Sequence, residues 1–145
     1  MSRLSLELKM IVRVGRSFKN ERLKPLGVDS LDAELLLAVA RKPDTTQDQL
    51  CAERLLNKST VTRRLAFLEE QGLVCRTVCP DDRRANRIRL TGEGEALVPR
   101  LRKVNEEWSA FLTQSLTAEQ TETLQATLEQ ILENSRRNGK EGEAT

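Results

Sequence analysis

A chain of 145 residues with a net charge of only +2, 32% charged residues, one Trp, three Phe and no His or Tyr has the length of one ordinary domain and a core built mostly from Leu and Val. The small net charge hides a split: from Lys58 to Thr91 eight basic residues stand against four acidic ones, net +4, whereas from Asn105 to Ser135 there are six Glu and no Lys or Arg, net −6. The middle can therefore meet a polyanion that the C-terminal part would repel, while the lack of His, of a Gly-rich phosphate loop and of a recognisable pair of catalytic carboxylates argues against an enzyme and against any metal or other cofactor.

Leu4, Leu8, Ile11 and Phe18 recur at roughly helical spacing, with Arg13, Arg16 and Lys19 between them. This predicts an amphipathic first helix ending near Pro25. Leu26-Gly27-Val28-Asp29 is a connection, and Leu31, Leu35, Leu36 and Val39 mark a second helix that stops before Pro43. Thr46 and Gln49 have the spacing of a capping box and open a short third helix through Cys51 and Arg54. After the tight connection Leu55-Leu56-Asn57, a fourth helix runs from about Lys58 to Gln71 and ends at Gly72, with Asn57 as its cap.

The period then changes. Leu73 to Val78 is rich in β-branched residues and Arg87 to Leu90 alternates charged and apolar, which predicts two short strands. The polar run from Cys79 to Asn86 between them is too long for a two-residue hairpin and reads as a wing. Thr91-Gly92 opens a long fifth helix carrying Leu97, Leu101, Val104, Trp108, Phe111 and Leu112, with a kink expected at Pro99. Thr117 and Gln120 form a second capping box ahead of a sixth helix with Leu124, Leu128, Ile131 and Leu132; the polar end from Asn138 to Thr145 is expected to fray.

Two short helices, a further helix and two strands flanking a basic loop follow the order of a winged helix-turn-helix. On the fourth helix Val61, Leu65 and Leu68 share one face, and Ser59, Thr62, Arg63 and Ala66 lie opposite. Small hydroxyls permit close approach to a groove, and an Arg can reach a guanine edge. By themselves Arg63 and Arg64 read equally well as a solvated face. Arg83 and Arg84 add weight to the first reading, because an Arg on a loop tip suits the electronegative minor groove. Asp82 can brace the wing or Arg84; ordinary turn chemistry for Asp81 and Asp82 stays open beside it.

The run Asn57-Lys58-Ser59-Thr60-Val61-Thr62-Arg63-Arg64-Leu65, the segment Leu68 to Val74, and the stretch from Asp81 through Asp82, Arg84 and Leu90 to Thr91 strongly resemble the MarR family of bacterial regulators. The stretch from Arg22 to Leu26 further resembles its SlyA branch. The resemblance spans roughly Arg13 to Leu132. It implies a mainly α fold with a small β-wing, about six helices plus a two-stranded hairpin, acting as a homodimer on a pseudo-palindromic site in double-stranded DNA. It assigns residues 1–145 to one domain, with a DNA-binding lobe at 30–91, dimerisation helices at 1–25 and 92–137 and a flexible tail at 138–145. Arg63 matches the family's base-contacting position, Ser59, Thr60 and Thr62 its flanking positions, and Asp82 with Arg84 the wing motif. The candidate DNA-binding set is Thr46, Gln47, Ser59, Thr60, Thr62, Arg63, Arg64, Arg76, Asp82, Arg83 and Arg84.

This sequence departs from the family at three places. Arg54 replaces a usually apolar residue and Leu55 a usual Gly, so a slightly different turn is expected there. Gly15 stands where the SlyA branch has an aromatic, which weakens the transfer of an aromatic-ligand pocket. A small anionic or aromatic effector is still a candidate partner, with Arg13 and Arg16 able to meet an anion or to serve as surface charges.

Cys51, Cys75 and Cys79 are an odd number with no secretory leader before them, no segment approaches the roughly 20 apolar residues of a membrane span, and three scattered thiols fall short of a zinc site. These features predict a cytoplasmic protein with reduced thiols and no membrane partner. Cys51 reads as packing; Cys79, near Arg76 and Arg83, is the candidate for redox sensing as well as for an inert loop residue. A winged-helix adaptor that binds protein in place of DNA is the alternative function, and the basic wing argues against it.

Overall fold

The computed structural model describes the backbone of residues 2–78 and 86–144, and the side chains of residues 3–77 and 86–138. In chain order the elements are α1 (Ser2–Leu23), a single 3₁₀ turn (Lys24–Leu26), α2 (Ser30–Arg41), α3 (Gln47–Arg54), α4 (Lys58–Glu70), β1 (Val74–Val78), β2 (Asn86–Leu90), α5 (Gly92–Thr113) and α6 (Ala118–Ala144). The expected six helices and antiparallel hairpin are present among the described residues. Two compact units divide the chain, Met1–Trp108 and Ser109–Thr145, with the boundary inside α5.

Within the first unit, capping chemistry sets the helix starts. Asp29 accepts the Asp32 N–H at 2.8 Å, while the Asp32 carboxylate accepts the Asp29 N–H at 3.0 Å. Thr46 and Gln49 make the equivalent exchange at α3, and the Asn57 side chain accepts the Thr60 N–H at 2.8 Å to open α4. The apolar faces then converge: Leu23 of α1, Leu35 and Leu36 of α2, Leu50 of α3, Leu65 and Leu68 of α4, Ile88 of β2 and Leu101 of α5 are fully buried. Phe18 packs on Trp108 with ring centroids 5.2 Å apart, and Arg22 lies 3.4 Å over the Phe18 ring. Gly15 makes this contact feasible. A Cβ there would sit 2.8 Å from the Trp108 indole carbons, so Trp108 fills the space beside the backbone that a side chain at 15 would need.

The hairpin pairs Val74 with Leu90 and Val78 with Asn86. Leu73 was expected in the strand, but its N–H is given to Leu68 O in the turn that ends α4, so pairing begins one residue later. The segment before α3 joins the sheet as a short third rung: Asp44 N–H donates to Ile88 O at 3.1 Å, and Ile88 N–H to Thr45 O at 2.8 Å.

Leu55 resolves one departure noted above. It takes the left-handed conformation itself, φ 55° and ψ 42°, at about half exposure. The turn that glycine would make freely is therefore made by a leucine, at a cost of roughly 1–2 kcal/mol. α5 continues through Pro99 to Thr113. Residues from Asn138, expected to fray, extend α6 to Ala144; Lys, Glu and Ala in that stretch are good helix formers.

In the second unit, Thr117 and Gln120 form the expected capping box. Leu124, Leu128 and Leu132 recur every four residues along α6, and all three are exposed, as are Phe111 and Leu112. In the first unit the apolar residues of α1 from Leu4 to Val14 are likewise uncovered.

Candidate nucleic-acid interface

α4 splits cleanly by face. Val61, Leu65 and Leu68 are fully buried, which turns Ser59, Thr62, Arg63 and Ala66 outward on the opposite side. Lys58 and Arg63 have no ion pair among the described residues; the Arg63 Nε–H reaches back to Ser59 O at 3.4 Å. The hydroxyls on this face are engaged. Ser59 donates to Asn57 Oδ1 at 3.0 Å, and Thr62 donates to Lys58 O at 2.7 Å while accepting the Gln47 side-chain amide. Thr46 spends its hydroxyl on capping α3. Thus Gln47 and Thr62, both in the candidate set, form one bonded pair that joins α3 to the outward face of α4.

Arg64 does something different from what the sequence suggested. Its Nε–H and Nη2–H donate to the two Asp32 oxygens at 2.8 and 2.6 Å, with Asp29 Oδ2 at 3.1 Å and the Phe67 ring below. Asp32 is only 1% exposed. Burial pushes its carboxyl above the ordinary carboxylate value, and the Arg64 bond pulls it part of the way back. Arg64, part-buried, braces α4 against the start of α2. The signal was in the sequence: position 64 lies three residues after Val61 and four before Leu68, on the flank of the buried stripe.

Arg76 on β1 faces the Glu69 carboxylate at 3.1 Å. The remaining strand arginines are also engaged. Arg89 forks onto the Asp44 carboxylate, with its Nη2–H donating to Oδ2 at 2.6 Å, and Arg87 donates to Asp44 O at 3.1 Å. The Arg89 bond holds the Asp44 carboxyl below its usual range. These contacts tie the root of the wing to the segment that enters α3, and sequence reasoning missed them because the partners lie over forty residues apart. Asp82, Arg83, Arg84 and Cys79 lie outside the described residues.

Cys51 is half-buried in α3 and burial raises its thiol pKa, consistent with a packing role; Cys75 is exposed on β1. Among the described residues no group of metal-ligating side chains occurs and no helix is long and apolar enough to cross a membrane. Arg13 and Arg16 line an open groove of about 650 Å³ with Ser17, Asn20, Glu21 and Lys24.

Known proteins share this arrangement. Residues 26–85 match the model of the MarR family. The crystal structure of MarR superposes with a TM-score of 0.84 at 29% identity, covering 95% of this chain and 94% of that one. A mutant MarR from E. coli complexed with operator DNA gives 0.81 at 26% identity, covering 89% and 93%. The transcriptional regulator SlyA gives 0.90 at 23% identity, covering 93% and 95%, a likeness of fold. The family model thus matches the module from the 3₁₀ turn into the wing, and the likeness to solved MarR structures runs along nearly the whole chain.

Proposed function

We propose that the protein is a sequence-specific regulator of transcription that reads double-stranded DNA through the outward face of α4 and the wing. One observation carries this reading: α4 buries Val61, Leu65 and Leu68 and thereby presents Ser59, Thr62, Ala66 and Arg63, which has no ion pair among the described residues, on its exposed face. The likeness to a MarR solved with operator DNA supports it. Arg63 reads a guanine edge, Lys58 and the α4 N-terminus hold phosphate, and Arg83 and Arg84 with Asp82 serve the minor groove. Thr46, Gln47, Ser59 and Thr60 line the approach. Arg64 and Arg76 act from behind as braces.

The working form is a homodimer on a pseudo-palindromic site, acting in the cytoplasm. The apolar side chains left exposed on α1 and α6 support this, because a second copy of the same chain would bury them. Occupancy of a promoter makes repression the natural outcome. The stretch from Arg22 to Leu26 favours the SlyA-like branch, and an anionic effector at Arg13 and Arg16 would act only by binding the DNA-competent and incompetent dimers differently.

Selection of bound duplexes from random DNA at low salt tests the reading. Enrichment of a two-fold-symmetric motif is expected; no enrichment favours the protein-binding adaptor. Two substitutions then separate the patches. Arg63→Ala relaxes preference at one base position per half-site, whereas Arg84→Ala weakens all sites by about 1–3 kcal/mol with the motif retained. Unchanged affinity for Arg84→Ala would remove the wing from the interface.

A further inference from the structure

The outward face of α4 has committed its hydroxyl protons before any DNA arrives. Ser59 gives its proton to Asn57 Oδ1, and Thr62 gives its own to Lys58 O. Thr62 also accepts the Gln47 side-chain amide from α3, which fixes the side chain from a second direction. A threonine hydroxyl has one proton and two lone pairs, so Thr62 has no proton left for a base or a phosphate. With Oγ1 turned inward to the i−4 carbonyl, the γ-methyl is what the residue offers to a groove. Ala66, one turn further on the same exposed face, adds a second methyl.

We propose that Thr62 is a specificity residue that reads the 5-methyl group of thymine by apolar contact, with Gln47 as the residue that positions it. The inference rests on the DNA-reading function above and deepens it. Next to the guanine expected for Arg63, each half-site then carries a thymine whose methyl group, and not its hydrogen-bonding edge, is recognised.

The test uses the full chain and the duplex obtained by selection. Each thymine is replaced in turn by deoxyuridine, which removes the methyl group and keeps the base pair. For the parent protein, one thymine per half-site is expected to lose about fourfold in affinity on losing its methyl. Thr62→Ser keeps both internal hydrogen bonds and lacks the methyl; it should bind more weakly and become indifferent to deoxyuridine at that position. Thr62→Val keeps a methyl and lacks the hydroxyl; it should retain the sensitivity. Circular dichroism checks that both variants fold. The proposal is overturned if no deoxyuridine substitution affects the parent, if Thr62→Ser stays sensitive, or if Thr62→Val loses the discrimination that Thr62→Ser keeps. Failure of selection itself would bring down the DNA-reading function, and this inference with it; selection followed by methyl-indifferent binding would bring down this inference alone.

Discussion

Arg64→Ala is expected to lower the free energy of unfolding at neutral pH by about 3–5 kcal/mol, the cost of removing one partner of a buried ion pair. Asp32 is nearly inaccessible, and Arg64 supplies two of the three hydrogen bonds its carboxylate accepts; the third is the Asp29 N–H. The loss should also depend on pH in a definite direction. Burial already raises the Asp32 carboxyl above its ordinary value of 3.8, and the Arg64 bond opposes that rise. Without Arg64 the folded-state value climbs further. Between the unfolded and folded values the native variant then holds a proton that the unfolded chain has released, so its stability falls as pH rises through that window. Denaturant titrations of parent and variant should therefore converge as the pH is lowered toward 4 and diverge toward 7. A small, pH-independent difference would refute the brace and return Arg64 to the list of candidate DNA contacts.

The elements were legible because their signals are local. Helix starts followed from Thr46, Asn57 and Thr117, and the change of period after Gly72 marked the hairpin. The division of α4 into a buried and an outward face came from spacing alone. The partners of the arginines did not. Arg64, Arg76, Arg87 and Arg89 all looked available for a polyanion, and each is engaged with a carboxylate or a carbonyl that tertiary folding brings to it. The basic excess from Lys58 to Thr91 is therefore a poor measure of charge available to DNA: within the described residues it reduces to Lys58 and Arg63. The Gln47–Thr62 pair was beyond sequence reasoning for the same reason, since fifteen residues and a left-handed Leu55 separate its members. Gly15 was noticed as a departure, and only Trp108 explains it.

Gly94→Ala tests the root of the wing, where several of these contacts meet. Thr91 caps α5 by accepting the Gly94 N–H at 3.1 Å, and its hydroxyl donates to Gly72 O at 2.6 Å. The Thr91 N–H donates to Leu73 O at 3.0 Å. A Cβ on Gly94 would lie 2.2 Å from that same Leu73 oxygen and 3.4 Å from the Leu90 Cβ. The clash is with backbone, so no side chain can swing away. To admit the methyl group, α5 must lift from the turn before β1, and the Thr91–Leu73 hydrogen bond breaks with it. Overpacking together with a buried amide left without its partner should cost about 2–5 kcal/mol. Gly92→Ala is the matched control, because a Cβ there meets nothing within 4 Å; it should change stability by less than about 1 kcal/mol, toward stabilisation. Thermal unfolding distinguishes the two. The effect on DNA should follow the geometry as well, since Leu73 and Leu90 flank the ends of the strands that carry the wing, while α4 has further anchors at Asp32 and Gln47. In the fraction of Gly94→Ala that folds, affinity should fall at every site while the selected motif stays as it was. A changed motif with unchanged affinity would mean that the wing root, more than Asp32 and Gln47, positions α4.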